Sequence, residues 1–152
     1  MKSWFNLVKQ DETKFPDFIS YYDSKYLVHK ENVKLHGKLE TQAAMLPSQY
    51  EDCFCELQDI EAVLQFFEIK LLEIKSKLFK KYQTSYNRDL KKSEIDVYIE
   101  GEQDVVEYKH LINEISLVRN KYISLTGGFD KKSWTIGHIV KLRTTMMEDT
   151  LI

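Results

Sequence analysis

The chain is poor in the residues that build cross-linked, metal-bound or catalytic sites. It has two cysteines in 152 residues. These are Cys53 and Cys55, two apart, so that on a helix their side chains diverge and a disulfide between them would be strained. There is no second cysteine pair, and His29, His36, His110 and His138 are dispersed without ligand spacing, so no zinc site is expected. The sequence also lacks a phosphate-cradling glycine loop, a histidine-glutamate zinc motif and a nucleophile elbow. Acidic neighbours such as Glu51 and Asp52 fall on what reads as a solvated face. The expectation is a protein that is not an enzyme and needs no cofactor. No apolar run approaches the roughly 20 residues of a membrane span, and the opening MKSWFNLVKQDETKF is too polar for a signal peptide. A soluble, cytoplasmic protein without membrane contact is therefore expected. The net charge of −2 gives no global signal for nucleic acid, so any such signal has to come from uneven charge distribution.

What is present is a long apolar seam. Tyr50, Cys53, Leu57, Ile60, Leu64, Phe67, Leu71, Ile74 and Leu78 follow one another at alternating spacings of three and four, the coiled-coil period. The spacing predicts a helix roughly 50 Å long, at about 1.5 Å per residue, whose stripe needs another helix to cover it. Such a stripe exceeds the diameter expected of a compact chain of this size, which points to an elongated shape with apolar surface shared between subunits.

Pro16 suits a first helical turn, and Phe18, Ile19, Tyr22, Tyr26 and Leu27 recur behind it at helical spacing, predicting a helix from about Pro16 to Val28. The helical pattern resumes from Val33 to Met45, weakly broken at Gly37. Pro47 disfavours helix at Leu46, and Ser48 with Glu51 forms a capping box, so the long helix is expected to start near Gln49. Residues 1–15, with Trp4, Phe5, Leu7 and Val8, fit either a short docking helix or a loose end. Ser93 to Ile99 fits either a strand, through the alternation of Ile95, Val97 and Ile99, or a capped helical turn. A second seam, Tyr108, Leu111, Ile115, Val118, Tyr122 and Leu125, is expected to end at Gly127-Gly128 as a C-cap, with Ser133 opening a terminal helix to about Met147. The expected fold is all-α: a long helix with an antiparallel helical partner and small terminal helices. By this reading residues 1–48 are an N-terminal helical arm, 49–147 the core and 148–152 a frayed tail. Leu57, Ile60, Leu64, Phe67, Leu71 and Ile74, with Trp134 and Ile139, are the residues expected to pack within or between subunits.

Charge is distributed unevenly. From Lys70 to Lys92 the chain carries Lys70, Lys75, Lys77, Lys80, Lys81, Arg88, Lys91 and Lys92 against only Glu73 and Asp89, and Phe79, Tyr82 and Tyr86 lie among them. The next stretch reverses sign through Glu94, Asp96, Glu100, Glu102, Asp104, Glu107 and Glu114. Cations that track a phosphate backbone beside aromatics that stack on bases are the means of sequence-tolerant single-strand binding. Lysines near a helix end are also commonly a solvated face, and Phe79 and Tyr82 suit a core equally well.

The run Lys80-Lys81-Tyr82-Gln83-Thr84-Ser85-Tyr86 at the end of a long helix is followed by Ser93-Glu94-Ile95 with Tyr98-Ile99 and an acidic link into a second helix. Trp134-Thr135-Ile136-Gly137-His138-Ile139 then leads to Arg143. Taken in order, these motifs resemble the UvsY-like recombination mediators of T4-like phages, over roughly Tyr50 to Met147. Lys81 and Tyr86 match the family's basic-tyrosine pattern, while Gln83 stands where that pattern has a second cation. The resemblance implies a homo-oligomeric, cofactor-free protein that binds single-stranded DNA. It also implies help to a RecA-like recombinase in displacing single-strand-binding protein and nucleating its filament. Patch and resemblance together nominate Lys77, Lys80, Lys81, Arg88, Lys91 and Lys92 as phosphate contacts and Tyr82 and Tyr86 as stacking residues. Two other readings fit the same residues: a structural or assembly coiled-coil oligomer in which the patch pairs subunits, and a monomeric helical adaptor that covers its own seam.

Overall fold

A computed structural model of the chain describes residues 3–85 and 90–146. It is all-helical there. The five α-helices are α1 (Trp4–Gln10), α2 (Phe15–Val33), α3 (Leu39–Ser85), α4 (Lys92–Glu100) and α5 (Gln103–Thr144), with a 3-10 turn at Glu12–Lys14. By internal contacts the chain forms two units that cut across its order. The first comprises Met1–Ile19 and Asp59–Val118, and the second comprises Ser20–Gln58 and Arg119–Ile152.

In the first unit, α1 docks on α3. Its free N-terminal amides are met from α3: the Asp59 carboxylate accepts from the Trp4 N–H at 3.1 Å and the Phe5 N–H at 3.4 Å, and takes the Ser3 hydroxyl as well. A carboxylate at that end also opposes the positive pole of the helix. The chain then turns on Asp11, whose Oδ1 accepts from the Thr13 hydroxyl and the Thr13 N–H. Those two bonds hold the Asp11 carboxyl below its ordinary range. Val8 is fully buried, and Phe15 packs edge-on to Phe67 with centroids 5.4 Å apart. Tyr108 of α5 meets the same Phe67 ring at 5.8 Å and donates to Glu12 at 2.6 Å; burial and the Glu12 charge push its phenol up to about 12. Farther along, Tyr82 of α3 meets Glu102 just before α5. Numbers that fall along α3 rise along α5, so the two segments run antiparallel, as the sequence implies.

The second unit has a polar centre. Glu56 Oε2 lies 2.9 Å from His29 Nε2 and accepts from the Tyr122 hydroxyl at 2.9 Å. Burial and this carboxylate raise the Tyr122 phenol above its ordinary range and push the buried Cys53 thiol up to about 12. Phe129 packs edge-on to the His29 ring at a centroid distance of 6.4 Å. Lys132 is 3% exposed, and its ammonium donates to the Asn32 carbonyl at 2.5 Å and Gln42 Oε1 at 2.7 Å; burial holds it below the usual lysine value.

The expected seam is buried within the chain. Leu57, Ile60, Leu64 and Phe67 are buried, while Leu71 and Ile74 are half-buried against α4. Four boundaries differ from the sequence reading. The long helix begins at Leu39 instead of Gln49 and carries Pro47 inside it. Pro47 is exposed and forfeits a single backbone bond. The turns before it are retained by tertiary contacts such as Gln42 to Lys132, and Ser48 donates back to the Met45 carbonyl at 3.0 Å instead of capping. The break falls earlier, after Val33, where Gly37 takes φ +77°, a conformation that favours glycine. Ser93 to Ile99 is helix, with the Lys91 N–H bonded to the Glu94 carboxylate at 3.0 Å, so the cap falls at Lys91 and not at Ser93. Finally, Gly127-Gly128 does not end α5, and neither glycine has a positive φ. A Cβ on Gly128 would sit 3.1 Å from Val33 Cγ1; the glycine is there to let α2 approach.

Because a Cβ on Gly127 would meet nothing within 4 Å, Gly127→Ala is expected to raise the unfolding free energy by about 0.5–1 kcal/mol. Gly128→Ala should fall short of that gain, since Val33 has to give way. A C-cap at this place would make both substitutions destabilising, which chemical denaturation of the two variants distinguishes.

Candidate nucleic-acid interface

The basic stretch lies in the first unit and is built on an apolar cluster. Ile95, Ile99 and Val105 are buried there, with Leu71, Ile74, Leu78, Phe79, Tyr82 and Leu90 packed against them. The cluster draws the last turns of α3 and the start of α4 onto the same apolar residues, so Lys77, Lys80 and Lys81 on one helix and Lys91 and Lys92 on the other flank it. All five lysines are solvent-accessible, and none forms an ion pair among the described residues. Tyr86 and Arg88, two of the nominated residues, lie outside the described residues.

The other cations of the stretch are engaged. Lys70 lies 3.6 Å from Glu12, and Lys75 lies 2.5 Å from Glu100, which Lys109 also contacts. Part of the acidic stretch is likewise engaged, while Asp96, Asp104 and Glu114 are exposed. Glu94 bonds the first turn of α4, Glu100 holds two lysines, and Glu102 accepts from Tyr82. Five cations thus remain without a carboxylate partner among the described residues, in a chain whose formal charge is −2. Lys91 and Lys92 stand at the N-terminal end of α4, where a helix disfavours positive charge and its free N–H groups favour anions. Lysines kept there oppose local stability, a conflict that a bound anion would relieve.

The aromatic assignment changes. Tyr82 is half-buried, its hydroxyl donates to Glu102, and its ring stacks on Tyr98 with centroids 5.8 Å apart and planes 18° from parallel. Phe79 packs into the cluster. Tyr98, 51% exposed, is the more open member of the stacked pair. In the sequence it appears only as part of a motif, and its spacing of three from Ile95 gives no sign that it is open. Trp134, expected to pack within or between subunits, is 74% exposed, so it does not pack within the chain. The sequence reading restarted the helical phase at Ser133. Unbroken phase through Gly127-Gly128 turns Phe129, Lys132 and Ile136 inward and Trp134 outward, while Ile139 is half-buried.

Among the described residues no group of three or more His, Cys, Asp and Glu side chains is arranged to hold a metal ion, and no helix is long and apolar enough to cross a membrane. No protein-family model matches the chain, and no curated protein or solved structure matches it.

Tyr82→Phe keeps the ring on Tyr98 and removes only the hydroxyl bond to Glu102. It should cost about 1 kcal/mol of stability, the net worth of such a bond. Urea unfolding checks this, and an unchanged midpoint would mean that Glu102 does not hold the hydroxyl.

Proposed function

We propose that the chain is a single-stranded-DNA-binding recombination mediator, one that assists loading of a RecA-like recombinase onto DNA covered by single-strand-binding protein. The observation that carries the DNA-binding part is the group of five accessible lysines, Lys77, Lys80, Lys81, Lys91 and Lys92, unpaired among the described residues and flanking one apolar cluster beside the exposed Tyr98. Cations on a fixed base next to an open aromatic ring suit a flexible, polyanionic strand whose bases are free to stack. Arg88 and Tyr86, nominated by the sequence, are proposed contacts as well, and Tyr98, the more exposed ring of its pair with Tyr82, is the proposed stacking residue. The mediator role and its protein partners rest on the resemblance to UvsY-like proteins. In this reading the protein works in the cytoplasm, that of the host if the chain is phage-encoded, by binding and without catalysis.

The same reading includes a homo-oligomer. The seam is spent inside the chain, so subunit contacts would use other apolar surface, and Ile69 and Leu72 on α3 are 58% and 68% exposed. Several copies of a modest basic patch bind one strand far more tightly than a single copy does.

Binding to oligo(dT) should weaken steeply with salt. Lys80→Ala with Lys81→Ala should lower the slope of log affinity against log salt by about 0.7 for each phosphate that these lysines neutralise. A slope equal to that of the parent protein would remove these lysines from the interface. Sedimentation of the same samples gives the subunit number.

A further inference from the structure

The second unit carries an exposed aromatic that the lysine surface does not use. On α5, Lys131, Trp134, His138 and Lys141 succeed one another at spacings of three, four and three, which places them on one face of the helix, and all four are exposed. The indole contacts the His138 ring at a centroid distance of 5.4 Å and otherwise stands open. Two shallow recesses adjoin it, one bordered by Ser133 and Gly137, the other by Asp130 and Lys131. A Cβ on Gly137 would meet nothing within 4 Å, so the recess is open at that residue. Lys131 and Lys141 form no ion pair among the described residues.

We infer that this face is a second contact site for single-stranded nucleic acid, in which a base stacks on Trp134 and the phosphates beside it meet Lys131 and Lys141. The arrangement suits a polyanion with planar faces better than another protein surface. A subunit interface needs a contiguous apolar centre, and here the indole sits between cations; Val140 is turned to another side of the helix, and the exposed Leu142, one turn beyond His138, lies next to Lys141 at the edge of the face. A second copy docked symmetrically on Trp134 would bring the same lysines against each other. Asp130 is the carboxylate bordering the recesses, and it faces the nucleic acid unfavourably, so the site is weaker than one lined by cations alone.

The site differs from the lysine surface of the first unit in residues and in observable. The chain has two tryptophans. Trp4→Phe therefore leaves Trp134 as the only indole reporter, and the fluorescence of that variant is followed as oligo(dT) is added at low salt. The emission should be quenched and should recover as salt is raised. Trp134→Ala should reduce oligo(dT) affinity by about five- to one-hundred-fold, the range for removing one stacked base. The quench should persist, at lower affinity, when Lys77, Lys80, Lys81, Lys91 and Lys92 are all alanine. If it persists while the salt slope of that variant equals the parent's, the lysine surface fails and the Trp134 site stands. Emission that stays unchanged at saturating oligo(dT), or a quench abolished with the five lysines, overturns the inference. So does a mass in sedimentation that falls on Trp134→Ala without DNA, which would make the face a subunit contact.

Discussion

Everything in the second unit depends on α5 running through two glycines without ending. A helix with adjacent glycines in its middle forgoes about 1 kcal/mol of propensity at each. The fold recovers this through the close packing of Val33 on Gly128, which a side chain there would obstruct. Because the helix does not stop, its phase is fixed over its whole length. That phase decides that Phe129, Lys132 and Ile136 turn to the interior and that Trp134 turns away. One close approach thus sets both a core and a surface.

The two units handle polar groups in opposite ways. In the second, a carboxylate is taken inward and given partners: Glu56 has His29 and Tyr122, and the lysine of that interior, Lys132, has a carbonyl and an amide oxygen. Buried groups of this kind cost stability unless they are fully bonded, and their bonds fix which helices pair and in what register. In the first, most acids are used up near the surface, on helix ends, on Lys75 and Lys109, and on Tyr82. Lys77, Lys80, Lys81, Lys91 and Lys92 are left without an ion pair among the described residues. The basic run seen along the sequence therefore keeps unpaired lysines after folding, because Glu94, Glu100 and Glu102, which follow it, bond to other groups.

The helical class, the apolar seam and the site's lysines were legible because each is a matter of period or composition, and these persist whatever the tertiary arrangement. Leu57, Ile60, Leu64 and Phe67 are buried as their spacing implies. The boundaries were not legible, since Pro47 and Gly127-Gly128 are punctuation by local rules and become helix only through contacts with residues far away in the chain. Gly37 shows the converse, a lone glycine that looks minor in sequence and marks the turn. The aromatic roles followed from the boundaries. Restarting the phase at Ser133 sets Trp134 on one apolar face with Ile136 and Ile139. Tyr82 read as open because neither its bond to Glu102 nor its stacking on Tyr98 leaves a mark in local spacing.

The two cysteines, whose spacing keeps them from a shared disulfide, end in unlike surroundings. Cys53 is buried with its thiol pushed up to about 12, whereas Cys55 is exposed. Thiol reagents act on the accessible thiolate, so the folded protein offers them Cys55 alone. The native chain therefore has a built-in attachment point on α3, where a single fluorophore or spin label can be placed without any substitution, in the same unit as Trp134.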